Sequence, residues 1–154
     1  MCIDLYVYFP EMVSLTSQYA LRAVLYLATV GGGPVVAEDI SKNTGVPKGY
    51  LHKILRRLGK AGILDAQRGV GGGYVLSQKP AEITVCQVLK AIEPQQPDFS
   101  FDPCKSCSDQ TVVSDAIGSL MKSAQSHIER IFTETSIADL LDSDSGSQRA
   151  QIPA

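Results

Sequence analysis

Apolar residues recur at helical spacing in short runs, and glycine- or proline-bearing turns separate the runs. Leu21, Val24, Leu25 and Ala28 form one such set. They predict a helix capped by Ser14 that runs to about Ala28, ahead of Gly31-Gly32-Gly33-Pro34. Val35-Val36 is too short for more than an edge strand. Ala37 to Asn43 reads as a short helix ended by Gly45, and Pro47 suits the first turn of the next helix. That helix runs to about Lys60 with Leu51, Ile54, Leu55 and Leu58 on one face. Two short helices joined across Thr44-Gly45-Val46 form a helix-turn-helix pattern.

The period then changes. Ile63 to Gln67 reads as a strand, Gly69 to Gly73 as a glycine-rich tip, and Tyr74-Val75-Leu76 as the returning strand. This hairpin is a wing. A helix from Thr84 through Ile92 follows, with Val85, Val88, Leu89 and Ile92 inward, and then a loop from Pro94 to about Asp109. A long helix from about Thr111 to Phe132 carries Val113, Ile117, Leu120, Met121, Ala124, Ile128, Ile131 and Phe132. Its apolar stripe is wide enough for two neighbours, the body of its own subunit and the same helix of a second one. A plain three-helix core explains the same stripe. Ser136-x-x-Asp139 caps a final turn bearing Ile137, Leu140 and Leu141.

The expected fold is mostly α with a small β-hairpin wing: a winged helix-turn-helix domain plus a long C-terminal dimerisation helix. Residues 1–11 form an N-terminal arm of no evident role. Residues 12–80 are expected to form the winged helix-turn-helix domain, 81–141 a loop and the dimerisation helices, and 142–154 a disordered tail.

Charge sharpens this picture. The net charge is only -2, but residues 12–80 hold nine Lys/Arg against three Asp/Glu, and residues 81–154 hold five against eleven. One end of the molecule suits phosphate and the other does not. No run of 18 apolar residues occurs, so no membrane span is expected. The apolar start, broken by Asp4 and lacking basic residues, does not read as a signal peptide. A cytoplasmic chain is the expectation.

With the apolar face of the second helix inward, Lys48, Gly49, Tyr50, His52, Lys53, Arg56 and Arg57 are left outside. Tyr50 and Lys48, in the first turn, are placed to meet bases or the first phosphates in a major groove. Lys53, Arg56 and Arg57 are better placed for the backbone. Arg68 leads into the wing tip and suits an adjacent minor groove, while Gly71 and Gly72 let backbone approach the sugar-phosphate wall. A solvated basic helix face and a merely flexible tip are the plainer alternatives. The glycines are not a phosphate-binding loop, since Lys-Ser/Thr does not follow. Nor are they a dinucleotide fingerprint, since a strand follows them. Without paired carboxylates, a nucleophile beside a base or a glycine loop opening a helix, enzymatic activity is not expected.

Tyr19-Ala20-Leu21-Arg22, Ile40 through Pro47, Tyr50-Leu51, Ala61-Gly62, Arg68 through Tyr74, Ile83-Thr84, Ala91-Ile92-Glu93 and Thr135 through Asp139 together make the chain resemble the IscR/NsrR/CymR-type family of bacterial winged helix-turn-helix transcription regulators. The resemblance covers about Met12 to Leu141. It implies a homodimer with crossing C-terminal helices, bound to a palindromic operator on double-stranded DNA. It also gives Lys48, Tyr50, Arg56 and Arg68 a DNA-contact role.

The departure lies in the sensor loop. Many relatives hold an iron–sulfur cluster there with three cysteines. Here the loop offers only Cys104 and Cys107, and no thiol stands near Asp115. Gln18 occupies the place where some nitric-oxide-sensing relatives carry an acidic ligand. Cys86 reads as a small core residue, and Cys2 stands alone in the arm. Cys104/Cys107 is therefore read as a redox pair or an incidental one, with no cofactor expected. The alternative is a cluster with atypical ligands, and the identity of any metal stays open. The expected function is sequence-specific DNA binding, as a repressor, with redox response through Cys104/Cys107. The other reading is a winged-helix protein-interaction module that binds no DNA.

Overall fold

The computed structural model describes residues 13–93 and 112–147. In chain order these form α1 (Leu15–Val30), α2 (Ala37–Thr44), α3 (Lys48–Lys60), β1 (Leu64–Gln67), β2 (Gly73–Leu76), a 3-10 turn (Pro80–Glu82), α4 (Val85–Ile92), α5 (Val112–Glu134) and α6 (Ile137–Ser147). This is the mostly helical, winged helix-turn-helix arrangement expected from the sequence. The arm at 1–11, the loop with Cys104 and Cys107, and residues 148–154 lie outside the described residues.

α1 begins where the Ser14 hydroxyl accepts the Ser17 backbone N–H at 3.2 Å and ends at Gly31. Its buried face differs from the expected stripe. Ala20, Ala23, Val24 and Leu27 are buried, whereas Leu21, Leu25 and Ala28 flank the core half-buried. The small alanines allow neighbouring helices to approach closely, so the larger leucines are displaced to the edge.

α2 and α3 pack against α1 through Ile40, Leu51, Ile54, Leu55 and Leu58, with Val46 buried in the turn between them. Burying each such aliphatic side chain contributes about 1.5–3 kcal/mol. Gly45 turns the chain at φ 70°, a left-handed conformation that glycine adopts without strain. The turn is also stitched by side chains: Thr44 Oγ1 donates to the Ile40 carbonyl at 2.6 Å and Ser41 Oγ to the Val46 carbonyl at 2.7 Å.

β1 and β2 pair antiparallel, with Leu64 opposite Leu76 and Gln67 opposite Gly73. Val35 adds a single bridge to Tyr74: its N–H donates to the Tyr74 carbonyl at 3.0 Å, and the Tyr74 N–H donates back at 2.8 Å. The wing base is thereby tied to the segment leading into α2.

One core runs across residue 80. Ile83, Val88 and Ile92 join the cluster formed by α1 to α3, and so does Ile137 from the far side of α5. The Ile137 N–H donates to the Ile83 carbonyl at 2.8 Å, and the Val85 N–H donates to the Thr135 carbonyl at 3.0 Å. The chain thus returns to the winged domain after the long helix. α6 continues past Asp142, where the sequence suggests a tail, to Ser147. Ser136 and Asp139 start it, Ile137 anchors it, and Ser143 Oγ donates back to the Asp139 carbonyl at 2.8 Å. A capped and anchored first turn carries a polar continuation that periodicity alone does not reveal.

Candidate nucleic-acid interface

α3 separates its two faces sharply. Leu51, Ile54, Leu55 and Leu58 are buried, while Lys48, Gly49, Tyr50, His52, Lys53, Arg56 and Lys60 are exposed. Lys53, Arg56 and Lys60 recur at i, i+3 and i+7, so they share one side of the helix. The helix sequence contains no acidic residue. Among the described residues, no hydrogen bond or ion pair engages Lys53, Arg56 or Arg68. Their charges face solvent uncompensated.

Two expected contact residues have protein partners. Lys48 Nζ lies 3.3 Å from Glu38 Oε2, an exposed pair across the helix-turn-helix. Such a pair is weak enough for a phosphate to replace. Arg57 is half-buried, and its Nη1 donates to the Ile92 carbonyl at 2.7 Å. The two adjacent arginines therefore differ: Arg56 projects outward and Arg57 reaches to the end of α4. Tyr50 stands on the outer face with its ring 6.4 Å from that of Tyr19 on α1, inclined at 64°.

Arg68 is exposed between β1 and the glycine tip, and Val70 stands at the tip fully exposed. The glycines have a structural task as well. A Cβ on Gly72 would lie 2.3 Å from the Gln67 carbonyl oxygen, and one on Gly73 would lie 2.5 Å from the Val35 carbonyl oxygen. Gly71 has open space around it. Thus Gly72 and Gly73 are needed for the hairpin to close and to dock, whatever approaches the tip.

A contact that the sequence pattern does not single out holds the N-terminal end of α1. Ser14 Oγ and Ser17 Oγ both donate to Glu93 Oε1, the latter at 2.9 Å. This ties the residue after α4 to the start of α1. The signal was visible only as a cap sequence at Ser14. Gln18 Nε2 donates to the Val13 carbonyl at 3.1 Å. Cys86 is half-buried on α4 and is a free thiol. Among the described residues, no group of three or more His, Cys, Asp or Glu side chains is arranged to hold a metal ion. No helix among them is long and apolar enough to cross a membrane.

Comparison with known proteins adds an independent line. The model of the Rrf2 family, described as "Iron-dependent Transcriptional regulator", matches residues 13–143. The HTH-type transcriptional regulator IscR of Aliivibrio salmonicida is 42% identical over 84 residues, covering 53% of this chain and 50% of that protein. An rrf2-like HTH-type regulator of Rhodobacter capsulatus is 31% identical over 109 residues, covering 64% of this chain and 73% of that protein. The chain spans about half the length of the more identical curated relatives. Among solved structures, CymR, the global cysteine regulator of B. subtilis, superposes with a TM-score of 0.70 at 25% identity, over 83% of this chain and 94% of that one. IscR of T. potens gives a TM-score of 0.68 at 28% identity, over 91% and 93%. These relatives are transcriptional regulators, not enzymes.

Proposed function

The chain belongs to the Rrf2 family of transcriptional regulators, and from that premise we propose that it is a sequence-specific regulator, acting as a repressor, that binds a palindromic operator on double-stranded DNA as a homodimer. The observation that carries the reading is the row Lys53, Arg56 and Lys60 on α3 together with Arg68 on the wing, exposed cations on two elements that share one core. α3 enters the major groove with Lys48 and Tyr50 toward the bases. Lys53 and Arg56 meet phosphates, Arg57 adds charge beside them, and Arg68 enters the flanking minor groove. Gly71 and Gly72 bring the wing backbone to the sugar-phosphate wall. A DNA target places the protein in the bacterial cytoplasm.

The second copy docks on α5. Leu120 is 64% exposed and Ile131 54% exposed, and Ala124 is exposed as well. At about 100° per residue these three positions fall within about 40° of one another. They form an open apolar stripe on the helix whose sequence pattern offers a face to a second subunit, and a twofold partner would cover it. Selection of duplexes from a random pool, with sedimentation of the complex, tests this. An inverted repeat bound by two chains is expected. A selected site without symmetry, or one chain per duplex, overturns the dimeric reading. Recovery of no preferred duplex at all favours the protein-interaction module.

Cys104 and Cys107 serve as the redox element of this reading. The segment between α4 and α5 carries two cysteines where a cluster normally takes four ligands, so a dithiol pair is the simpler sensor. A small disulfide oxidant accepts two electrons, the two thiols lose two protons, and one Cys104–Cys107 bond forms. Cys104→Ser should retain DNA binding and lose its response to oxidation. Stoichiometric iron and sulfide in protein purified without air would replace this reading with a cluster.

A further inference from the structure

We propose that Tyr19, on α1 and outside the helix-turn-helix pair, governs base discrimination by holding the ring of Tyr50 in one orientation. The inference rests on the DNA-reading role proposed for Tyr50.

Tyr50 is in the first turn of α3 and 58% exposed. Its predecessor Gly49 contributes no side chain, and nothing lies within 4 Å of where a Gly49 Cβ would stand. Left alone, a ring in such a place samples several rotamers. The Tyr19 ring restricts it: centroids 6.4 Å apart at 64° are an edge-to-face pair within the favourable range. Tyr19 is itself half-buried against the core, beside the fully buried Ala20 on α1. It is a packed backstop for an exposed partner.

Fixing Tyr50 before binding removes an ordering cost on the duplex it fits. It also prevents the ring from adapting to a duplex it does not fit. Without Tyr19 the ring becomes permissive, so discrimination falls more than overall affinity. Among the described residues no hydrogen bond, ion pair or ring contact joins Lys53 or Arg56 to this pair, so the phosphate contribution is untouched. Tyr19 is a positioning residue: it acts through Tyr50.

The test uses the full chain, the duplex recovered from the random pool, and single base-pair variants of it. Tyr19→Leu is expected to lower the ratio of preferred to variant binding by about three- to tenfold, the factor that an edge-to-face pair supplies. The salt dependence should stay unchanged, and the Tyr50 ring-proton shifts should move in the free protein. Tyr19→Phe keeps a ring and should restore the ratio. In a Tyr50→Ala background, Tyr19→Leu should have no further effect. If Tyr50→Ala lowers the ratio and Tyr19→Leu does not, the inference is overturned while base reading by Tyr50 stands. If Tyr50→Ala leaves the ratio unchanged, base reading by Tyr50 fails and the role of Tyr19 fails with it. Should Tyr19→Leu not fold, Tyr19→Met also lacks the ring, and its ratio decides in the same way.

Discussion

Arg57 Nη1 donates a 2.7 Å hydrogen bond to the carbonyl oxygen of Ile92, the last residue of α4. A helix end leaves its final carbonyls without intrahelical partners, and a guanidinium there is favoured by both the hydrogen bond and the helix dipole. The bond joins the proposed recognition helix to the end of α4, ahead of the segment that carries Cys104 and Cys107 in the sequence.

This contact separates two neighbouring arginines experimentally. Arg57→Ala should destabilise the fold by about 1–2 kcal/mol, because a charge-assisted bond is lost and a helix-end carbonyl is left open. Arg56→Ala should change stability by no more than about 0.5 kcal/mol, as expected for a surface site. Urea unfolding of the two variants beside the parent checks this. Equal losses would remove the structural distinction between them.

The wing supplies a second prediction. A Cβ on Gly73 would stand 2.5–2.8 Å from the backbone oxygen, carbon and nitrogen of Val35. Backbone cannot swing aside as a long side chain can, so Gly73→Ala should push β2 off Val35 and cost about 1–3 kcal/mol. Gly33→Ala, with nothing within 4 Å, is the matched control and should be near neutral. Amide exchange at Val35 and Tyr74, which bond to each other, should accelerate in Gly73→Ala alone.

α6 makes stability depend on acid. Asp139 Oδ2 accepts from Ser136 Oγ at 2.6 Å and from the Ser136 backbone N–H at 2.8 Å. These bonds, the side-chain one foremost, hold its carboxyl below the ordinary value of 3.8. A depressed folded value means a contribution fully present above the ordinary value and lost as pH falls through the folded one. The stability gap between the parent and Asp139→Asn should be constant near neutral pH and should close below about pH 4. A gap that widens in acid would contradict the capping arrangement.

Much of this architecture was legible in the sequence. The buried faces of α3 and α4 follow from Leu51, Ile54, Leu55 and Leu58 and from Val85, Val88, Leu89 and Ile92, all at helical spacing. α1 was harder, because Ala20 and Ala23 carry its close packing and alanine gives little hydropathy contrast. The extension of α6 was hidden because its later residues are polar and only the cap and Ile137 hold it. The basic outer face of α3 was visible residue by residue. What was not visible is tertiary: that Arg57 turns to Ile92, that Tyr19 meets Tyr50, and that Glu93 gathers the hydroxyls of Ser14 and Ser17. Each joins residues distant in the chain, and no local period encodes such a meeting.

The most direct measurement of DNA reading by α3 and the wing is a salt titration of duplex affinity for the parent, Arg56→Ala and Arg68→Ala. Both cations lack a protein partner among the described residues, so both are available to replace counterions on the duplex. The expected result is steep loss of parent binding with added salt, and a slope reduced by about one for each phosphate contact removed. Arg56→Ala should weaken all duplexes about equally, and Arg68→Ala should weaken most those with an A·T-rich flank beneath the wing. If both variants bind every duplex as the parent does, with the same slope, α3 and the wing are not the DNA-binding surface.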